Sequence, residues 1–226
     1  MRPVCTSFDA ALRETRAIAR GQQDELRIGY LMSAAQTHVT PALKELRRDY
    51  PKTKVTLLDL APGAQIEALR AGTIDLALIG HEGGLIAKEF HTRTIATFPV
   101  VVALSADHPL AKKRMVALKD LAQEGFVGFP EEDMPGRNGW MKGICRDAGF
   151  QPSFHWLADS LTHALSLVVS ELGVTLLPAY LTKFPHPGVV LRPLRDSTAT
   201  WDFLVARPRG KVSGSVQRFL EALKGT

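Results

Sequence analysis

LRIGYL (26–31), KVTLLDL (54–60) and IDLALIG (74–80) are three short apolar runs, separated by two helical patterns, QTHVTPALKELRRDYP (36–51) and GAQIEALRAG (63–72). Strands that alternate with helices of that length must be joined by parallel crossovers, because a tight hairpin cannot close a parallel pair. A polar, small-residue loop, Met32-Ser33-Ala34-Ala35-Gln36, stands where the first strand opens into the first helix. In an open parallel sheet that carboxyl edge is where ligands bind. The stretch therefore predicts a small-molecule binder on an α/β scaffold.

Working outward, the same grammar recurs. TFPVVVALS (97–105) reads as a buried strand, LKDLAQE (118–124) as a short helix, FVGFP (126–130) as a strand and NGWMKGICRDAG (138–149) as a helix closed by Gly149. FHWLAD (154–159) follows as a strand. SLTHALSLVVSELG (160–173) is a helix with Leu161, Ala164, Leu165, Val168 and Leu172 on one stripe and Gly173 at its end. GVTLLPA, VVLRPL and WDFLVARP are further strands, and SVQRFLEALKG closes the chain with Val216, Phe219, Leu220 and Leu223 inward. In the first helix Leu43, Leu46 and Tyr50 repeat at helical spacing; in the second, Ile66 and Leu69 point inward and Gly72 is the stop. Residues 7–24 form a helical segment whose seam, Phe8, Ala11, Leu12, Thr15, Ile18 and Ala19, is narrow. Such a seam suits either a partner helix or this chain's own surface.

The 226 residues allow one large or two small domains with real cores. A net charge of +5 and pI ≈ 9.4 invite a nucleic-acid reading. The charges are dispersed, however, and the one dense run, Lys112-Lys113-Arg114, has no aromatic residues interleaved for stacking. Cys5 and Cys145 are too few for a disulfide framework and are not spaced as a metal pair, which fits a reducing, cytoplasmic setting. No signal-peptide core and no span of transmembrane length is present in the sequence.

Catalytic patterns are missing: no G-x-S-x-G, H-E-x-x-H, P-loop or G-x-G-x-x-G occurs. The histidines, including His155 and His163, lack metal-ligand spacing, and the triplet Glu131-Glu132-Asp133 reads as a solvated loop tip before it reads as acid–base machinery. The expectation is a non-enzyme without metal or cofactor. Binding groups are better represented. The first helix offers unpaired N–H groups and positive potential at its start, where Ser33 is either an anion-binding hydroxyl or a plain N-cap. The 134–138 loop opens another helix and carries Arg137, a fork for carboxylates or simply a surface charge. His81, just past the third strand, is either a polar lining residue or a strand end.

The ordered set L-R-I-G-Y, P-A-L-K-E-L-R-R-D-Y-P-K-T-K-V-T-L, Q-I-E-A-L-R-A-G-T-I-D-L-A-L, V-V-V-A-L-S-A-D-H-P-L-A, L-K-D-L-A-Q-E-G-F-V-G-F-P, D-A-G-F-Q-P and A-L-S-L-V-V-S-E-L-G-V-T-L-L-P-A resembles the effector-binding domain of LysR-type transcriptional regulators. Each motif is loose; their order over residues 25–224 is specific. The resemblance implies a type 2 periplasmic-binding-protein-like α/β fold, with two Rossmann-like subdomains joined by two crossovers and a ligand cleft between them. The implied boundaries are a linker-helix remnant at 1–24, subdomain I at 25–98 and 204–226, and subdomain II at 99–203. It further implies a small, anionic effector held by Ser33 and Ala34, by the Ala61–Pro62 loop, and by Pro135, Gly136 and Arg137; His81 joins the candidates from its place at the third strand's end alone. Relatives sensing aromatic-pathway acids often carry a hydroxyl where Pro62 stands, a departure that speaks against that effector class. Implied partners are a second copy of this domain, a tetramer at full length, and DNA through an N-terminal winged helix-turn-helix that this sequence lacks; no membrane is involved. The alternative on the same fold is a solute-binding receptor of a transport system, against which the lack of a signal segment argues.

Overall fold

The computed structural model describes residues 25–81, 83–184, 186–195 and 199–223, with backbone alone at 32–37 and 83. The helix expected at 7–24 lies outside these residues. The chain divides into two compact units. Among the described residues, unit 1 comprises 25–79, 83–95 and 204–223, and unit 2 comprises 80–81 and those described between Ala96 and Phe203.

Unit 1 is built on β1 (Glu25–Tyr30), β2 (Lys54–Asp59) and β3 (Leu76–Ile79), with α1 (Met32–Asp49) and α2 (Pro62–Ala71) as the crossovers. β1 pairs in parallel with β2 along its whole length and with β3 at Ile28–Leu76 and Gly29–Ala77. The last part of β9 (Thr200–Pro208) adds antiparallel to β3 through Ala77–Ala206, Leu78–Val205 and Ile79–Leu204. β3 is buried on both faces, which is why its sequence is an unbroken apolar run rather than an alternation. The C-terminal helix, α6 (Gly214–Ala222), packs on β1 and α1. Val216, Phe219, Ala222 and Leu223 are its buried stripe, and burying Phe219 alone is worth about 1.5–3 kcal/mol. Ser213 caps it by accepting from the Val216 N–H.

Unit 2 has its own sheet. The long β4 (Phe90–Ser105) enters from unit 1 and pairs antiparallel with β7 (Thr175–Pro178) and β8 (Val189–Pro193). β7 leads on to β5 (Gly125–Gly128) through paired bonds between Val174 and the Gly125 and Val127 backbones. β6 (Ser153–Leu157) lies parallel to β5 at the outer edge. A one-turn α3 (Gly83–Ile86), then α4 (Arg137–Asp147), α5 (Leu161–Val169) and α6 (Gly214–Ala222) complete the helices.

Several expectations are corrected. Residues 32–36 are not a loop: α1 starts at Met32 with Leu31 as its N-cap, so the strand turns into the helix within one residue. Tyr50, which shares the spacing of Leu43 and Leu46, lies beyond the end of α1 and is 44% exposed, with the Arg218 guanidinium 4.4 Å from its ring. The stripe of α5 is shorter than expected, because the helix stops at Val169 and Leu172 is exposed. Gly173 does not cap it; Glu171 takes the positive φ, and a Cβ on Gly173 would lie 2.6 Å from the Gly125 carbonyl oxygen. Its glycine serves strand approach between β7 and β5, not helix termination. LKDLAQE forms a 3-10 turn at Leu118–Leu121, too short to propagate an α-helix.

Candidate functional site

Ser33 and Ala34 lie in the first turn of α1, where backbone N–H groups have no intrahelical acceptor. Pro62 is buried at the first position of α2, where its missing N–H costs nothing and its fixed φ suits helix entry. Both helix starts follow the carboxyl ends of neighbouring parallel strands, since β1 and β2 are paired and the Leu60 N–H donates to the Tyr30 carbonyl at 3.0 Å. Unit 1 thus presents two positive helix ends side by side.

The remaining candidates belong to unit 2, and there the structure gathers His81, Gly136 and Arg137. Gly136 is the N-cap of α4, in the left-handed region at φ 73°, and its N–H donates to the Glu131 carboxylate. Pro135 is half-buried just before it. Arg137 is not a surface charge: it is 2% exposed, and its Nη2 donates to the Leu176 carbonyl at 2.5 Å. Its guanidinium carbon lies 4.2 Å from the Trp201 ring centroid, 4.7 Å from that of Trp140 and 5.6 Å from that of Phe129. A cation this deep is held by π faces, each contributing about 0.5–2 kcal/mol when desolvated. His81 packs on the same rings, 4.7 Å from Trp201 and 5.7 Å from Trp140. Both of its ring nitrogens are shielded from solvent. Burial, then the neighbouring Arg137 charge, pushes its pKa down to about 3, so His81 is neutral at physiological pH.

Phe129, Trp140 and Trp201 are the residues that the sequence reading missed. Trp140 was within reach, three residues after Arg137 on one helix face. Trp201 carried no local signal, because it arrives from a distant strand. Its position is enforced by Gly80, where a Cβ would stand 1.9 Å from the indole Cζ2.

No group of three or more metal-ligating side chains occurs among the described residues. A groove of about 780 Å³ lies in unit 1 and contains none of the candidates above. Chemically, the candidates offer backbone donors, one buried cation, a neutral imidazole and aromatic walls. Backbone donors and a guanidinium are groups that suit an anion, and among these residues no acid is paired with a base.

Comparison with known proteins identifies the scaffold. Residues 19–226 match the profile of the LysR substrate binding domain. The chain belongs to the LysR family. Among its relatives, the HTH-type transcriptional regulator BudR of Raoultella terrigena is 30% identical over 214 residues, covering 94% of this chain and 73% of that protein. The regulator CatR of Pseudomonas putida is 31% identical over 91% of this chain and 70% of its own length. AlsR of Bacillus subtilis is 26% identical over 89% and 66%. The chain thus spans about two thirds to three quarters of these relatives. The fold agrees with that of solved LysR structures. The BenM effector binding domain with its effector benzoate superposes with a TM-score of 0.72 at 23% identity, covering 89% of this chain and 91% of that one. CbnR, a LysR family regulator, gives 0.74 at 20% identity over 99% and 77%. This is the type 2 periplasmic-binding-protein-like fold of LysR effector-binding domains, and these LysR relatives are transcriptional regulators rather than transport receptors or enzymes.

Proposed function

We propose that this effector-binding domain senses a small organic anion held jointly by the helix starts of unit 1 (Ser33, Ala34, Pro62) and the unit 2 cluster of His81, Pro135, Gly136 and Arg137, without turning it over. The observation that carries the reading is the buried Arg137 guanidinium, braced by Phe129, Trp140 and Trp201 at the start of a helix. Effector binding shifts the domain between two states by no more than its differential affinity for them. The shift is passed to DNA-binding heads beyond this chain, in the cytoplasm. Residues 1–24 act as the linker helix in this scheme, 25–98 with 204–226 as one subdomain and 99–203 as the other.

Self-association is part of the proposal. Each unit ends in an edge strand with exposed apolar side chains: Val55 (36%) and Leu57 (41%) on β2, Trp156 (46%) and Leu157 (54%) on β6. Unprotected apolar edges invite pairing, and a two-fold dimer setting β2 of one copy against β6 of the other covers both.

The test is a thermal-shift screen of the chain against small carboxylates, aromatic acids, amino acids and sulfur oxyanions. A ligand at about a hundred times its dissociation constant adds about 2.7 kcal/mol. The expected result is a hit that Ser33→Phe and Arg137→Lys each weaken at least tenfold while both variants stay folded. A hit that neither substitution affects overturns the placement of the site.

A further inference from the structure

Unit 1 holds a concave site that contains none of the candidate residues named above. The groove of about 780 Å³ lies among the early residues of β4, the end of β9 with the turn after it, and one flank of α6. That volume falls within the roughly 300–1,000 Å³ typical of small-molecule sites. Val205, Val212 and Leu220 supply apolar surface, while Arg93, Arg207 and Lys211 face it against the single carboxylate of Glu221.

Two of the three cations are held in place. Arg93 Nη2 donates to the Leu220 carbonyl at 2.9 Å, and Arg207 Nη1 donates to the carbonyls of Pro208 at 2.9 Å and Gly210 at 3.2 Å. Carbonyl oxygens orient a guanidinium without neutralising it. Among the described residues, no carboxylate ion-pairs with Arg93, Arg207 or Lys211, and Glu221 is itself engaged by the Gln217 amide at 3.3 Å. Partial burial holds the Arg93 pKa below the ordinary guanidinium range, the mark of a cation that lacks compensation. Solvated surface lysines splay into water; here two planar forks are fixed by backbone above an apolar floor.

We propose that this groove binds a small organic anion with an apolar body, a ring or chain bearing one carboxylate, sulfonate or phosphate. The apolar part covers Val205, Val212 and Leu220, and the anionic head meets the free edges of Arg93 and Arg207 with Lys211 beside them.

The test uses 8-anilinonaphthalene-1-sulfonate, an apolar anion whose fluorescence rises on binding. Wild-type chain is titrated beside Arg207→Gln/Lys211→Gln and beside Lys44→Gln/Lys52→Gln, which removes equal charge elsewhere on unit 1. Since the Arg207 bonds also shape the following turn, Lys211→Gln alone is included, and thermal transitions confirm folding. The expected result is one saturable site, at least tenfold weaker in the first double variant, about threefold weaker with Lys211→Gln and unchanged in the control pair. Naphthalene-2-carboxylate displaces the probe and neutral 2-naphthylmethanol does not. Absence of saturable binding, equal weakening in the control pair, or displacement by the alcohol as readily as by the acid overturns the proposal. So does displacement by a short DNA duplex alone, which would make the groove a polyphosphate contact.

Discussion

Gln65 bridges two backbone groups at the carboxyl edge of the unit 1 sheet. It is fully buried on α2, where its Nε2 donates to the Leu60 carbonyl at 2.8 Å and its Oε1 accepts from the Leu78 N–H at 2.9 Å. The β1–β3 ladder registers no further than Gly29–Ala77, so the amide takes over where the strands part. A Cβ on Gly29 would come within 2.8 Å of the Ile74 Cδ1 and 3.1 Å of the Gln65 Cγ, so glycine there leaves room for both side chains. Gln65→Leu keeps the volume but strands the Leu78 N–H, at a position 1% exposed, and the half-buried Leu60 carbonyl. An orphaned buried group costs about 1–3 kcal/mol, and Leu60 recovers part of that from water, so the expected loss is about 2–4 kcal/mol. At about 2–4 °C per kcal/mol for a chain of this size, the melting temperature falls by about 5–15 °C. Urea unfolding followed by tryptophan fluorescence and by circular dichroism measures both quantities and checks that the two probes coincide. Gln65→Glu, which still accepts from Leu78 but repels the Leu60 carbonyl, should recover stability between pH 7 and pH 5 as the carboxyl protonates. A Gln65→Leu chain within about 0.5 kcal/mol of wild type would refute the reasoning, because two buried bonds would then carry almost nothing.

His81 gives a pH signature: its folded pKa of about 3 lies below the unfolded value of 6.5, so the unfolded chain takes up the proton first. Its contribution is complete above about pH 6.5 and drains as pH falls towards 3, costing about 1–2 kcal/mol between pH 7 and 5. Equilibrium unfolding across that range should show the slope in wild type and a flatter one in His81→Phe; equal slopes would mean His81 is not held neutral by burial. Gly80→Ala forces a methyl into the Trp201 indole and should cost about 1–3 kcal/mol. Gly139→Ala, at an exposed position of α4 with nothing within 4 Å of the new Cβ, should gain about 0.5–1 kcal/mol. Thermal melts of this pair with opposite signs are expected, and equal signs would contradict the packing around Gly80. Trp156→Glu and Leu57→Glu should each shift the chain towards monomer in light scattering with little change in melting temperature; an unaltered mass distribution would remove β2 and β6 from the dimer.

Much of the scaffold was legible because its signals are local. β3 is apolar without alternation since both faces are covered, and the burial of Ile66 and Leu69 follows from helical period alone. Where the reading failed, the deciding contact was distant or the chemistry ambiguous. Met32 to Gln36 are small or polar, as loops are, yet they extend α1 towards the strand, because Ser, Ala and Gln are also acceptable in a first helical turn. Gly173 looked like a helix cap, since nothing in its neighbourhood reveals the Gly125 carbonyl 2.6 Å from its missing Cβ. Arg137 was legible as a residue but not as a buried one. Its environment is assembled from Phe129, Trp140, Leu176 and Trp201, and of these Trp140 alone lies within one helical turn.

This contrast bears on how one fold serves many effectors. Helix starts such as those of α1 and α2 supply N–H groups whatever the side chains are, so every sequence that makes the turn acquires a weak, unselective affinity for anions. Selectivity must come from side chains that the fold leaves open to change. Pro62 illustrates the point: it stands at the first helical position, where no N–H is needed, and in the proposed site it offers a ligand no hydroxyl. The Arg137 cluster is different. Its cation is committed to three rings and a carbonyl before any ligand arrives, and a guanidinium fixed in advance loses little freedom on binding. Arg137→Lys should therefore cost affinity through lost pre-organisation although the charge is kept. Pro62→Ser should instead change which acids bind, with the affinity for a simple carboxylate held constant. The two substitutions separate anchoring from selection, and a screen in which Pro62→Ser weakens every acid equally would show that the two are not divided in this way.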